Sequence, residues 1–171
     1  ELTARFRTSR GVVTVRRRRW LFKRTRVAMT LSPPRGAARP TSADVRLLAD
    51  VADRGLACGA KDISMAGLVG SLAMLLEWGS FGVELDVSAV PAPAQVDLAT
   101  WFNCFPSYGF LMTCEPSTTE RCLAVFDAAG LPAARVGSVD DSGLITARLD
   151  DRSRVLLDAR TNPPTGLRRP H

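Results

Sequence analysis

Asp62 is the side chain of this 171-residue sequence with the clearest chemical prospects. It stands two places before Ser64, in a stretch from Gly59 to Trp78 that reads as a short turn, an acid, a hydroxyl and then a helix. The first N–H groups of such a helix have no partner within it and form a ready anion site, suited to a phosphate. A carboxylate there repels phosphate directly, so Asp62 would act through a metal ion or through an amine or hydroxyl of a ligand. The plainer alternative is that Asp62 bonds to turn N–H groups beside Lys61. Asp140 and Asp141, ahead of Ser142-Gly143, resemble a metal pair only superficially and read as turn residues.

Other chemistries are excluded by what the sequence lacks. The single histidine is His171, so residues 41–158 hold neither a Ser-His-Asp nor a Cys-His arrangement. No GxxxxGK phosphate loop occurs anywhere. Cys58, Cys104, Cys114 and Cys122 contain no CxxC pair and lack histidine partners for zinc. Two disulfides are arithmetically open to them. A body large enough to bury its own core does not need them, so the reading is reduced, mostly buried thiols in a cytoplasmic protein. No run of about 18 apolar residues occurs to span a membrane.

The net charge of +6 divides unevenly. Residues 1–40 carry 12 Lys/Arg and one acid, residues 41–158 carry 8 against 16, and residues 159–171 add three Arg. An acidic body argues against nucleic acid as its partner. The basic block Arg16-Arg17-Arg18-Arg19-Trp20 leaves three readings of residues 1–40: an arm for RNA or anionic lipid, a mitochondrial-type leader, or a disordered flank. The division expected is a basic, disordered flank at 1–40, a domain at 41–158 and a disordered tail at 159–171.

The elements that must position Asp62 follow from periodicity. Thr41-Ser42 opens a helix through Val45, Leu48, Ala49 and Ala52. Ser64 is placed as the N-cap of a second helix, with Met65, Leu68, Val69, Leu72, Leu75 and Leu76 on one face and Gly79 as its stop. Its other face carries Gly67, Gly70, Ser71 and Ala73, with Glu77 the only charge. Gly82–Val87 alternates as a half-buried strand, Asp97 caps a short helix, and Phe110–Cys114 reads as a buried central strand. Ser117 and Glu120 form a capping box for a helix closed by Gly130. Ala134–Val139, Leu144–Leu149 and Val155–Asp158 then read as strands of antiparallel hairpins. The fold class expected is α/β (α+β), a mixed β-sheet with helices packed on it.

Asp62-Ile63-Ser64 with Gly67-Leu68 resembles the Asp-(Val/Ile)-(Thr/Ser)-x-Gly-Gly-Leu signature of the aminoimidazole ribonucleotide (AIR) synthetase superfamily. Ala66 replaces the first glycine and Met65 takes the usually polar x position. The signature belongs to the carboxy-terminal, PurM-like domain, which thiamine-monophosphate kinase, selenophosphate synthetase and HypE share. Pro106-Ser107-Tyr108-Gly109 matches more loosely the glycine-containing segment before a core strand of that superfamily; the plainer reading is a turn entering a strand. The resemblance implies ligand contacts at Asp62, Ser64, Gly67, Ser107 and Gly109, a small phosphorylated ligand, and an acceptor-side position in an ATP-dependent enzyme. Magnesium and ATP are held by a separate amino-terminal domain in that superfamily, so no cofactor is expected on this chain alone. A homodimer, or pairing with an amino-terminal PurM-like domain, is implied as well. The alternative is a non-catalytic binding or regulatory module working with a separate ATP-binding partner.

Overall fold

Gly109–Cys114 folds as the expected strand, and its alternating side chains reach two different cores. The computed structural model describes residues 2–8, 11–17, 26–31, 42–103 and 109–167. In chain order the elements are β1 (Leu2–Thr8), β2 (Gly11–Arg17), β3 (Arg26–Leu31), α1 (Ser42–Asp53), β4 (Gly59–Asp62), α2 (Gly67–Glu77) and β5 (Gly82–Asp86). They continue with α3 (Leu98–Asn103), β6 (Gly109–Cys114), α4 (Thr119–Asp127), β7 (Ala133–Asp140), β8 (Leu144–Leu149) and β9 (Arg152–Asp158). β1 and β2 pair as a two-stranded sheet, and the other strands form one sheet in the order β4-β6-β3-β7-β5-β8-β9. Every ladder of that sheet is antiparallel except β5–β8, so the mixed sheet with helices is as expected.

Leu111 of β6 packs with Leu68, Leu72 and Leu76 of α2 and with Val83, Leu85, Val136 and Ile145. Met112 and Cys114 pack instead with Val51 of α1 and with Cys122, Val125 and Phe126 of α4. This division follows from the two-residue period of a strand, which sends neighbours to opposite faces. Helices therefore cover the sheet on both sides near β6, and each core is closed by aliphatic faces spaced three and four apart.

Several expectations need correction. Arg26–Leu31 falls within the stretch expected as a flank, yet β3 lies inside the sheet, paired with β6 on one side and β7 on the other. Its six residues were hidden between a basic block and Pro33-Pro34. Strand β4 stands where the sequence reads as a turn, because four residues are too few for a clear alternation. Neither hydroxyl cap forms: Ala66 is the N-cap of α2 and Thr118 that of α4, and neither cap makes a side-chain bond. Thr118 Oγ1 instead donates to Leu56 O at 2.9 Å, and Thr119 Oγ1 to Glu115 O at 2.8 Å. At the far end of α2 it is Ser80, not Gly79, that has a left-handed backbone, with φ 54°.

A further correction concerns β7 and β8, which do not pair with each other. β5 lies between them, antiparallel to β7 and parallel to β8. The turn after β7 wraps the start of β5, where Asp140 Oδ1 accepts from Ser142 N at 2.8 Å. Gly82 makes room for this wrap, since a Cβ there would collide with Ser142 Oγ and lie 2.7 Å from Leu144 O. The expected hairpin thus exists as a pair of strands held apart by an inserted third.

The segment after β9, expected as a disordered tail, is tied down as far as the described residues run. Glu77 is 2% exposed and accepts from Thr165 Oγ1 at 2.7 Å, Thr165 N at 3.1 Å and Gly166 N at 2.8 Å. A buried carboxylate requires such partners, and here the chain's own backbone supplies them.

Candidate functional site

Asp62 is the last residue of β4, an edge strand, and lies across from Phe110 near the start of β6. Its side chain is 60% exposed and pairs with Lys61 Nζ at 3.0 Å. The next residue, Ile63, donates its N–H to Gly109 O at 2.8 Å, which fixes Gly109 beside the strand-to-helix turn. Gly109 itself is buried. Asp62, Ser64, Gly67 and Gly109 are thus brought to one corner of the sheet, where β4 ends, α2 begins and β6 begins. Ser107 lies outside the described residues.

Ser64 acts through its backbone rather than through its hydroxyl. Its N–H donates to Ser71 Oγ at 3.1 Å, and its carbonyl accepts from Gly67 N at 2.9 Å. Ser71 is fully buried one turn into α2, so it pins the turn to the helix from inside. The sequence placed Ser71 among small face residues; a hydroxyl seven positions after another, on a helix otherwise apolar, was the available signal. Met65, in the x position of the signature, is 87% exposed.

Gly67 has φ +66°, a left-handed backbone that other residues enter at a cost. A Cβ built there would run into the Phe102 carbonyl oxygen and lie 3.2 Å from Asn103 Cα. The end of α3 therefore packs directly on the start of α2. α3 is held in place by Asp97 Oδ1, which accepts from Thr100 N at 2.9 Å, and by Trp101 Nε1, which donates to Pro91 O at 2.9 Å. These Thr100 bonds hold the Asp97 carboxyl below its ordinary range. The sequence could not show that a carbonyl from another helix would close over Gly67.

With alanine at its N-cap, α2 has no side-chain acceptor for its first-turn N–H groups. The corner thus offers backbone donors, the Lys61 ammonium and one carboxylate, a combination for binding an anionic group with a polar neighbour. Among the described residues no group of three or more His, Cys, Asp or Glu side chains is placed to hold a metal ion. Asp140 serves its own turn, as its composition indicated. Among the described residues no helix is long and apolar enough to cross a membrane.

Residues 25–150 match the family described as AIR synthase related protein, C-terminal domain. An uncharacterised protein of Synechocystis sp., sll0787, is 37% identical over 121 residues, which is 71% of this chain and 38% of that protein. Thermotoga maritima PurL complexed with ATP superposes with a TM-score of 0.70 at 14% identity, over 84% of this chain and 27% of that one. HypE in its complex with HypF gives a TM-score of 0.63 at 15% identity, over 78% of this chain and 52% of that one. The chain thus spans about two-fifths of the Synechocystis relative and about half or less of these two structures. The family match begins at β3, where the sheet itself recruits the chain, and the chain belongs to the AIR synthase-related family as its C-terminal domain.

Proposed function

We propose that this domain is the acceptor-side part of an ATP-dependent enzyme of its family, and that the corner of β4, α2 and β6 takes the phosphate of a small phosphorylated ligand. The observation that carries the reading is the conformation of Gly67: left-handed, closed over by α3, and at the head of a helix with no side-chain cap. The first-turn N–H groups of Leu68 and Val69 meet the anion, Lys61 adds positive charge, and Asp62 accepts from a hydroxyl or amine of the same ligand. Gly109 supports the corner through its bond with Ile63. On this reading ATP turnover belongs to an amino-terminal-type domain of the enzyme.

Calorimetric titration of the purified chain with ribose 5-phosphate tests the reading. Saturable binding is expected, weakened at least about tenfold by Gly67→Ala, equivalent to about 1.4 kcal/mol. Thr165→Ala, beside the far end of α2, should leave the affinity unchanged. Equal affinity in all three proteins would remove the corner from consideration. A second reading is a regulatory module that works with a separate ATP-binding protein. Magnesium-dependent ATP binding that appears only with a co-purifying partner would select it.

A further inference from the structure

Strand β9 closes one end of the sheet, and among the described residues no strand pairs with its outer side. The other end is closed by β4, which has four residues against seven in β9. An edge strand carries a row of backbone N–H and C=O groups with which a further strand can pair. The ladder between β9 and β8 is regular from Arg152 to Val155, opposite Leu149 to Thr146, and is interrupted at Leu156 by an extra residue. Regular pairing on the outer side is therefore open to Arg152–Val155. Residues two apart on a strand share a face, so Arg152 and Arg154 project to one side and Ser153 and Val155 to the other. All four are exposed, as is Leu149 opposite Arg152. Among the described residues neither arginine has an ion pair. We propose that β9 is a docking edge for an extended acidic segment of a partner protein, which adds as an eighth strand along Arg152–Val155 with carboxylates opposite the two arginines.

Charge selects this occupant over others. Charged side chains on an edge ordinarily keep further strands away. Here the guard over Arg152–Val155 has one sign only, so it discriminates among strands rather than excluding all of them. A second copy aligned antiparallel about Ser153 sets Arg152 opposite Arg154, and one aligned about Arg154 sets that residue opposite itself. Like charges directly opposite are destabilising, so self-pairing is disfavoured and a basic strand meets the same repulsion. A strand with acids two residues apart makes two opposite-charge pairs instead, and an apolar residue on its other face meets Val155. Main-chain hydrogen bonds supply the affinity, and the side-chain pairs supply the choice of partner. The proposal is independent of the phosphate reading, because β9 and β4 lie at opposite ends of the sheet.

Fluorescence anisotropy of a labelled Thr-Val-Glu-Thr-Glu-Val-Thr peptide, titrated with the intact chain at low salt, tests it. That order presents two acids and one apolar residue to β9 whichever way the added strand runs. The Glu peptide should bind about fivefold more tightly than its Gln counterpart, the gain from two exposed ion pairs, and added salt should erase the difference. The Lys counterpart should bind least. In Arg152→Glu/Arg154→Glu the order should reverse, with the Lys peptide first. Hydrogen exchange of the wild-type chain should slow at amides within residues 152–155 when the Glu peptide is added, and a fully N-methylated peptide should not bind. Equal affinity for the three peptides, a preference unchanged in the double variant, or slowed exchange confined to other strands would each overturn the proposal. So would self-association that slows the same amides without peptide, since it would give the edge to a second copy. The three peptides on the wild-type chain decide the matter even if the variant fails to fold.

Discussion

Gly67 is the residue at which backbone geometry and the proposed ligand site meet. An alanine inside a helix ordinarily stabilises by about 0.5–1 kcal/mol over glycine. Here the sign reverses, because φ is +66° and the new methyl meets the Phe102 carbonyl. Gly67→Ala should lower stability by about 1–3 kcal/mol, the usual range for strain and overpacking, read as a shift in the urea midpoint at constant slope. A second residue-scale prediction concerns pH. Hydrogen bonds from Arg160 hold the Asp158 carboxyl at about 2, below its ordinary 3.8. A lowered folded-state value means the contribution is complete above about 3.8 and is lost as pH falls toward about 2. The stability difference between the wild type and Asp158→Asn should therefore be constant near neutrality and shrink across that acid window. A difference that grows on acidification would contradict the assignment.

Helix α2 works at both of its ends. Its start forms the candidate site, and its last residue, Glu77, holds the segment after β9 through Thr165 and Gly166. Removing one partner of a buried, hydrogen-bonded charge costs about 1.5–3 kcal/mol. Thr165→Ala keeps the two backbone donors and should cost about 1.5 kcal/mol, the low end of that range. Glu77→Ala should cost more and release the segment. Limited trypsin digestion reads the release directly: cleavage after Arg160 should accelerate in Glu77→Ala and much less in Thr165→Ala. Equal cleavage in the wild type and both variants would mean that these bonds do not hold the segment.

For the molecule as a whole, the sheet decides where the domain starts. β3 pairs on both sides, so its loss opens two ladders in the middle of the sheet. A chain shortened to residues 25–171 should fold cooperatively, whereas one shortened to 41–171 should show no cooperative thermal transition. Cooperative folding of both would make β3 dispensable. The helices and longer strands were largely legible from periodicity and caps: α1 to α4 and β5 to β9 lie close to their expected places, although α2 starts after the expected Met65 and β9 starts three residues before Val155. What was not legible depended on partners distant in sequence. β3 is a short strand flanked by arginines, and nothing local says that β6 and β7 will enclose it. Likewise the insertion of β5 between β7 and β8 turns on Gly82, whose missing side chain matters only once Ser142 and Leu144 arrive. At the corner, Asp62 was legible by its type and position, whereas Gly67 and Gly109 entered through the resemblance to the AIR synthetase superfamily. Ser71 and the Phe102 carbonyl, which set the corner's geometry, were legible in neither way, because one reads as a small helix residue and the other is backbone.

The central claim is that the corner of β4, α2 and β6 binds a phosphate group, and amide NMR of the isotopically labelled chain during titration with ribose 5-phosphate tests it most directly. Saturable shifts should concentrate at Gly67, Leu68, Val69 and Gly109, with Lys61 and Asp62 following, and they should be absent in Gly67→Ala. Shifts that fall only on the arginine-rich residues 16–19, or that persist unchanged in Gly67→Ala, would contradict the account.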